Sequence, residues 1–320
     1  MPTAYLIATY HSPLHLKRLV DALRTDRSAF FVHVDKKVDM APFSSLLPSD
    51  VTFCNKRFAV YWGGFSLVEA ELTLLRTALS AGGAFDRFVL LSGSEYPLYP
   101  AVEIQDFFER HALSEFMNIV HMPADHVGKP ISRLTNYWIA SDAPARLGQR
   151  ILRKALKTFG LLPHSRDYRA VFKSLQPYGG SSWWALTRDA CNYIEHFVQN
   201  NVEVVDFFRN TLTPDEMLFH TILGNSPFRS RMEHNLVYTR WVTPDSPSPV
   251  FLDETDIDHF ARGPVVADDA FGRGEFLFAR KFTDASSTLV DRLERVVATR
   301  ELISTSIQLP FERVRTGPQI

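Results

Sequence analysis

The sequence is poor in cysteine and in long apolar runs. Cys54 and Cys191 are the only cysteines among 320 residues, too few for a disulfide framework or a cysteine-rich metal site, and typical of a reducing compartment. The N-terminal stretch MPTAYLIATYHSP has no charged leading segment and breaks at His11 and Pro13. It therefore predicts a first strand rather than a signal peptide or a membrane anchor, and we expect a cytoplasmic protein.

An excess of charge of either sign is also lacking. The chain carries 35 Lys and Arg against 36 Asp and Glu, a formal net charge of -1, so no global field favours nucleic acid or an anionic membrane. The basic, amphipathic segment 146–162 leaves a peripheral membrane contact open. The alternative for that segment is a solvated helix that packs one apolar face on the domain. The oligomeric state is not predicted by the sequence.

Two nucleotide-binding motifs are absent, namely the glycine fingerprint of dinucleotide-binding domains and the GxxxxGK[ST] phosphate loop. Their absence argues against NAD enzymes and P-loop NTPases. The first 125 residues nevertheless alternate strand and helix patterns, which predicts a parallel sheet with helices on both faces, as in a Rossmann-like nucleotide-binding half. The predicted strands are 4–10, 29–35, 51–55 and 87–93, and the predicted helices are 13–25, 66–81 and 103–111.

The remainder of the chain has a less regular pattern. Segment 243–275 is rich in Pro, Asp and Gly without periodicity, and we expect a long loop of the kind that serves as a lid or binding loop. The other expected elements are a helix over 142–159, a polar connection over 163–178, a Gly-rich turn, aromatic strand and amphipathic helix over 179–200, a strand over 276–282 and a helix over 286–301.

Polar residues follow the apolar strands, where ligands bind in parallel sheets. His33 and Asp35 lie two residues apart, so their side chains share one side of the second strand. The pair could bind a ribose or uracil edge, or a metal, while Asp35 alone could equally be a cap or turn residue. Glu95 stands in SGSEYP without the DxD spacing of a sugar-nucleotide metal site. A metal is therefore disfavoured.

Aromatic and cationic residues supply a second group of candidates. Trp62, beside two glycines, could stack on a base or sugar, or plug the core. Trp183 and Trp184 are consecutive on a predicted strand, so one should face the core and the other the cleft. Arg280 and Lys281 end the apolar strand FLFARKF. Two such cations could neutralise a diphosphate, unless they reach the surface.

The stretch TLTPDEMLF poses a question about Glu216. Thr213, Pro214 and Glu216 have the pattern of a capping box at the start of a helix, and local pattern alone favours that interpretation over a catalytic carboxylate. The two are compatible, because the turn can start a helix while the carboxylate points into the cleft. The structural question is whether the Glu216 carboxylate turns back to the Thr213 amide or out toward a substrate.

Seven blocks of the chain occur in the order found in one enzyme family. They are AYLIATYHSP, FFVHVDKK, VYWGGFSLVEAELTLLRTAL, FVLLSGSEYPL, GGSSWWALTRD, TPDEMLFHTIL and LFARKF. Over residues 4 to 285 the chain resembles the core-2/I-branching β-1,6-N-acetylglucosaminyltransferase family, which also contains the peptide O-xylosyltransferases. The resemblance implies a GT-A fold, a Rossmann-like mixed sheet flanked by helices, in one domain. Its parts would be a nucleotide-binding half over 1–125, an acceptor-binding half over 126–285 and a C-terminal helix and tail over 286–320.

The resemblance also implies a reaction. It is an inverting transfer of a sugar, GlcNAc favoured over xylose, from a UDP-sugar to a hydroxyl of a glycan or other acceptor, without a metal or another cofactor. Glu216 would be the general base, which must lie within about 3 Å of the acceptor hydroxyl, and a helix N-terminus would keep it ionised. The other implied residues are His11, Asp35 and Trp62 at the uridine, Lys281 at the diphosphate with Arg280, Arg262 or Arg273 as second cation, and Glu95, Trp183, Trp184 and Asp215 near the sugar and acceptor.

Two alternatives from other functional classes stay open. A non-catalytic module that binds a sugar nucleotide or a glycan would keep the nucleotide site and have no use for a base at Glu216. A metal-dependent hydrolase on a Rossmann-like sheet would draw its ligands from the eleven histidines. Binding of UDP in the presence of a chelator separates the hydrolase from the other two.

Overall fold

The computed structural model describes residues 1–138, 165–243 and 248–307, together with the single residues 148, 151, 158 and 246. Residues 301–307 are described by their backbone alone. The helix expected over 142–159 and the basic segment 146–162 therefore lie outside the described residues, apart from three isolated positions.

A mixed seven-stranded sheet forms the centre of the molecule, in the order β3-β2-β1-β4-β7-β6-β8. The first four of these strands are mutually parallel, and β7 is antiparallel to both its neighbours. The strands are β1 Thr3–Thr9, β2 Ser28–Val34, β3 Thr52–Phe53, β4 Arg87–Ser92, β5 Glu95–Pro97, β6 Glu115–His121, β7 Tyr178–Thr187, β8 Met232–Glu233, β9 Val237–Thr239, β10 Val266–Asp269, β11 Gly272–Glu275 and β12 Phe278–Arg280.

Helices cover both faces of this sheet, as the alternating pattern predicts. Leu16, Phe43 and Phe108 pack α1, α2 and α4 on one face, while Leu75 and Ile194 belong to the core on the other. The helices are α1 Pro13–Ala22, α2 Ala41–Leu46, α3 Ser66–Ser80, α4 Ala101–Arg110, α5 Ser132–Thr135, α6 Tyr168–Phe172, α7 Arg188–Asn200, α8 Val202–Phe208, α9 Leu218–Gly224, α10 Glu254–Ala261 and α11 Ser287–Ile307. The expected fold class, a mixed α/β sheet flanked by helices, is confirmed.

A smaller sheet, in the order β5-β12-β9, packs against α10 and α11 through a third apolar cluster that contains Phe260, Phe282 and Leu293. The long loop expected over 243–275 is wrong in part, because this segment contains α10 and the hairpin of β10 and β11. The helix has eight residues, too few for its apolar positions to show a clear helical repeat in the sequence. Asp253 and Asp256 start that helix with a capping box.

The glycines 179 and 180 were expected in a turn but lie inside β7. A Cβ atom at Gly180 would stand 1.7 Å from the carbonyl oxygen of Asn118 on β6. The pairing of β6 and β7 also shifts register between Met117 and Ile119. Glycine at position 180 therefore permits a close approach of two strands, rather than a reversal of the chain.

Candidate active site

The carboxyl ends of β1 and β2 lie side by side, and Asp35 fixes the backbone there. Asp35 donates its N–H to the carbonyl of Thr9 at 2.8 Å. Its carboxylate is buried and accepts hydrogen bonds from the N–H groups of Lys37 at 2.8 Å and Val60 at 3.3 Å. Asp35 is therefore a turn residue here, which is one of the two roles that the sequence left open for it. A contact with uridine stays a prediction.

His33 and Asp35 do not form a shared binding pair. The His33 ring is 1% exposed, and its Nε2 accepts a hydrogen bond from the N–H of Phe58 at 2.9 Å. Burial lowers the pKa of His33, so the ring is neutral and structural. Arg57, which sequence reasoning missed, donates from Nε to the carbonyl of Val34 at 2.9 Å and from Nη2 to that of Asp35 at 2.7 Å. It holds the end of β2 in place.

The loop after β1 and the segment after β12 bring ionisable side chains near one another. His11 is partly buried, with Nδ1 2.7 Å from the Ser12 hydroxyl oxygen. Burial lowers the pKa of His11, Asp284 opposes this effect, and the charge of Lys281 adds to it. The pKa of Lys281 is lowered by burial and by neighbouring Arg280. Two of the residues predicted for the donor, His11 and Lys281, thus lie within electrostatic range of each other.

Arg280 has a different environment, although it precedes Lys281 directly. Its Nε lies 2.9 Å from Oε1 of Glu95 as an ion pair, and its guanidinium stands 4.3 Å from the ring centroid of Trp183. Glu95 is completely buried, and its Oε2 accepts a hydrogen bond from the Ser92 hydroxyl at 2.6 Å. Burial raises the pKa of Glu95, and Arg280 opposes that rise. The positive charge of Arg280 is therefore already matched by Glu95.

The three tryptophans expected at the site differ in exposure. Trp184 is 2% exposed and packs near Phe219 in the core, so it offers no face to a ligand, which corrects the expectation for this residue. Trp183 is partly buried under Arg280 and so differs from Trp184 in its surroundings, while its contact with a substrate stays a prediction. Trp62 is 61% exposed and meets Trp138 edge to face at 6.4 Å.

The turn that carries Glu216 is not a capped helix start, which corrects the capping-box prediction. Thr213 is left-handed, with φ 47°, and its side chain caps nothing. Pro214–Glu216 form a separate 3-10 turn before α9. The backbone N–H of Thr213 donates to the carbonyl of Gly63 at 3.0 Å, which ties this turn to the loop of Trp62.

The carboxylate of Glu216 points instead to two cations. Lys129 Nζ and Arg133 Nη1 both donate to its Oε2, the latter at 2.6 Å, and Arg133 also donates to the Thr213 hydroxyl at 2.6 Å. Burial by itself would raise the pKa of Glu216, but Lys129 and Arg133 outweigh it and hold that pKa below its usual value. These cations, and not a helix N-terminus, keep Glu216 ionised. No described residue donates a hydrogen bond to Oε1, the other oxygen of Glu216.

The neighbouring acid, Asp215, behaves in the opposite way. It is 5% exposed, and its Oδ2 accepts a hydrogen bond from the Ser182 hydroxyl at 2.6 Å. Burial and the charge of Glu216 raise the pKa of Asp215 to about 6. Two adjacent carboxyls with pKa values pushed apart are typical of a functional site.

Sequence reasoning missed Lys129 and Arg133, the partners of Glu216. Their only local signal is a pair of cations four residues apart in GKPISR. In the described part of the chain no three His, Cys, Asp or Glu side chains are grouped to hold a metal ion. None of the helices described in the structure has the length and apolar character to cross a bilayer.

The family model described as Core-2/I-Branching enzyme matches residues 3–260, which include both the strand ends and the turn of Glu216. The chain belongs to this family. The expected membership is therefore confirmed, and the GT-A assignment agrees with it and with the mixed sheet.

The relatives of the chain in this family include several proteins named as xylosyltransferases. Xylosyltransferase oxt of Drosophila melanogaster is 28% identical over 233 residues, 70% of this chain and 24% of that protein. Xylosyltransferase 2 of Homo sapiens is 26% identical over 249 residues, 74% of this chain and 26% of that protein. The chain thus spans about a quarter of the length of these relatives. Mouse xyloside xylosyltransferase 1 in its apo form aligns at 13% identity and a TM-score of 0.36, over 87% of this chain and 97% of that one.

Proposed function

We propose that this protein is an inverting glycosyltransferase that transfers a sugar from a UDP-sugar to an acceptor hydroxyl, with Glu216 as general base. The observation that carries the proposal is the geometry of the Glu216 carboxylate, with Oε2 held by Lys129 and Arg133 and Oε1 unbound by any described residue. An inverting displacement needs one carboxylate in a fixed position, with an oxygen available to accept the proton of the hydroxyl.

The two cations serve this base in opposite senses. They fix the orientation of the carboxylate, which shortens the search for a reactive geometry. They also lower the pKa of Glu216 and so weaken it as a base. A weak base takes up the proton late, when the bond from the hydroxyl oxygen to the anomeric carbon is already forming. At that stage the hydroxyl is far more acidic than in the free acceptor.

The departing UDP is an anion, and its stabilisation falls to Lys281 in this proposal. Lys281 carries no ion pair with a described residue, whereas Arg280 is paired with Glu95. Lys281 would therefore contact the diphosphate, and His11 would contact the same end of the donor. Arg280 would not contact the diphosphate itself. It would fix the backbone beside Lys281 and the ring of Trp183. Metal-independent transfer stays part of the proposal.

Replacement of Glu216 by Gln tests the base directly. Because the amide cannot accept the proton, we expect the turnover number for transfer to fall by about 10²–10⁴-fold, while UDP affinity changes by no more than a few-fold. Both are measured on one preparation, by a coupled assay of UDP release with acceptor present and by calorimetry with UDP. Glu203→Gln, an exposed carboxylate on α8, is the matched control. Turnover in Glu216→Gln at the wild-type rate would exclude Glu216 as the base.

The donor sugar has two candidates. UDP-GlcNAc is the first candidate, because the chain resembles the N-acetylglucosaminyltransferases of the family. UDP-xylose is the second candidate, because the relatives given above are named xylosyltransferases. Hydrolysis and transfer with a panel of UDP-sugars distinguishes them through the ratio of kcat/KM values. The acceptor is a glycan or another hydroxyl compound, and an acceptor panel is read with the preferred donor.

The alternatives are separated by binding and turnover together. A non-catalytic module would bind UDP and release none from any UDP-sugar of the panel. A metal-dependent hydrolase would lose UDP binding or turnover when EDTA is added. UDP binding that is insensitive to the chelator, with acceptor-dependent release of UDP, is the result expected of a metal-independent transferase.

A further inference from the structure

Thr213, the residue that opens the turn of Glu216, has an unusual backbone conformation. Its φ of 47° and ψ of 59° lie in the left-handed region. Threonine is β-branched, and a β-branched residue at positive φ is rare and unfavourable in folded proteins. Such outliers persist only where the surrounding structure holds them, and they concentrate at functional sites. Neighbouring groups must therefore hold Thr213 in this conformation.

Two backbone hydrogen bonds do so. The N–H of Thr213 donates to the carbonyl of Gly63 at 3.0 Å, and the carbonyl of Thr213 accepts from the N–H of Glu216 at 3.1 Å. Gly63 is itself left-handed, with φ 66°, and a Cβ atom there would stand 3.0 Å from Cδ1 of Leu212. The bond from Glu216 closes the 3-10 turn. Thr213 and Glu216 are therefore held in a fixed relation to each other.

The side chains of Thr213 and Glu216 share one nitrogen atom of Arg133. Nη1 of Arg133 lies 2.6 Å from the Thr213 hydroxyl oxygen and 2.6 Å from Oε2 of Glu216. A terminal guanidinium nitrogen carries two hydrogens, so it can donate to both oxygens at once. Because the turn fixes the two oxygens, together they determine the position of Nη1 and the rotation of the guanidinium.

Arg133 needs such a second contact because its side chain is long. An arginine side chain loses much rotamer freedom when it is held in one place, and that of Arg133 is 19% exposed. Among the residues that the structure describes, only Thr213 and Glu216 accept hydrogen bonds from this guanidinium. Without the hydroxyl, Arg133 would be held through a single carboxylate oxygen and could rotate about that contact.

We propose that Thr213 is a positioning residue whose left-handed backbone directs its hydroxyl to Arg133, so that Arg133 holds the Glu216 carboxylate in one orientation with Oε1 free. The inference rests on the proposed function, because it concerns the orientation of the proposed base. It goes beyond that function by assigning the orientation to a neutral residue that does not itself take part in the transfer. The requirement at position 213 is the hydroxyl, since glycine would adopt the same backbone without it.

Three substitutions at position 213 separate the hydroxyl from the backbone. Thr213→Val keeps the branched shape and loses the acceptor for Arg133, whereas Thr213→Ser keeps the hydroxyl. Thr213→Gly loses the hydroxyl but adopts the left-handed backbone without strain, so it should fold even where Thr213→Val does not. We expect kcat to fall by about tenfold in the Val and Gly variants and to stay near the wild-type value in the Ser variant.

The KM for the acceptor and the UDP affinity should be unchanged in all three variants, because Thr213 acts on the base and not on binding. Thr299→Val, at an exposed threonine on α11, is the matched control. Wild-type kcat in Thr213→Gly would overturn the inference, because that variant has the backbone without the hydroxyl. A Ser variant as slow as the Val variant would overturn it as well.

A double-mutant cycle tests whether Thr213 acts through Arg133. In an Arg133→Met background, Thr213→Val should change kcat by less than about twofold, because the cation that the hydroxyl orients is gone. A further tenfold loss in that background would mean that Thr213 reaches Glu216 by another route, which contradicts the inference.

The four proteins of this cycle also give a readout that does not depend on turnover. Because Thr213 and Arg133 share a hydrogen bond, the double variant should lose less unfolding free energy in urea than the two single variants together. Additive losses with normal wild-type turnover would refute the inference alone. Coupled losses without wild-type turnover of any UDP-sugar would refute the proposed function and, with it, the positioning role of Thr213.

Discussion

Glu95 and Glu216 are both glutamates beside a cation at the carboxyl edge of the sheets, and the structure treats them in opposite ways. Glu95 is completely buried, faces a single arginine, Arg280, and has a raised pKa. Glu216 has a side chain that is 25% exposed, faces two cations on one oxygen, and has a lowered pKa. The two environments differ in the number of cations and in access to solvent, although the residue type is the same. In the proposed reaction only Glu216 takes up a proton.

Each arrangement has its own energetic logic. A buried ion pair contributes little net stability, because desolvation offsets the attraction, but the loss of one partner is costly. Two cations, Lys129 and Arg133, contact the single carboxylate of Glu216. The stability of the fold does not by itself require this excess of positive charge. We therefore expect substitutions around Glu95 to act on folding, and substitutions around Glu216 to act mainly on transfer.

The largest effect on stability is expected from Arg280→Met. This substitution leaves Glu95 buried without its counter-charge, and the free energy of unfolding should fall by about 3 kcal/mol. Urea unfolding followed by tryptophan fluorescence measures it. The double variant Glu95→Gln with Arg280→Met is the matched control, because no lone charge remains, and it should recover part of the loss. If Arg280→Met alone were as stable as the wild type, the ion pair with Glu95 would not be structural, and the proposed difference between the two glutamates would be wrong.

A smaller effect should appear in the pH dependence of stability near Glu95. His15 is 2% exposed, and its Nε2 donates to the carbonyl of Glu95 at 2.9 Å. Burial lowers the pKa of His15 to about 4, so the unfolded chain binds the proton first. The stability from a neutral His15 is complete above the unfolded pKa of 6.5 and is lost as the pH falls toward 4. Between pH 7 and 5 the loss is about 2 kcal/mol.

The variant His15→Gln keeps a donor and removes the titration. Its free energy of unfolding should therefore change less between pH 7 and pH 5 than that of the wild type, while His196→Gln, an exposed histidine on α7, should follow the wild type. Equal slopes for His15→Gln and wild type in urea titrations at both pH values would mean that His15 is not held neutral beside Glu95.

Sequence reasoning located both glutamates but could assign neither environment. Strand ends and turns are formed by residues that are adjacent in the sequence. Local pattern therefore predicts the parallel half of the sheet, and it predicts that Glu95 and Glu216 lie at a strand end and in a turn. The partners of Glu216 lie 87 and 83 residues away along the chain. No local propensity encodes such a contact, and the local signal at Thr213 pointed to a capping box that does not form.

The smaller sheet shows the same division between local and tertiary information. The strand of Arg280 was expected from its apolar run, but the direction of each cation depends on what β5 and β9 bring beside it. Trp184 and Gly180 were misplaced for a related reason, since their surroundings come from β6 and α9, distant in sequence. Local pattern thus predicts elements, whereas charge pairing and close packing require the assembled fold.

The smallest predicted effect concerns Lys129, the second cation beside Glu216, and tests whether the number of cations distinguishes Glu216 from Glu95. Lys129→Met leaves Arg133 as the single cation on Oε2, which gives Glu216 the same number of cationic partners as Glu95. The carboxylate becomes more basic but less firmly held. We expect turnover to fall by about tenfold, equivalent to about 1.4 kcal/mol in the barrier, with the UDP affinity unchanged.

The pH profile then distinguishes orientation from basicity in this variant. Loss of Lys129 removes a charge that lowers the pKa of Glu216, so that pKa should rise toward its ordinary range and the acid limb of kcat should not move to lower pH. Lys17→Met on α1, where the lysine pairs with Asp21 at the surface, is the matched control and should leave both turnover and profile intact. Turnover above the wild-type rate would mean that Lys129 restrains the base without orienting it, and that one cation suffices at both glutamates.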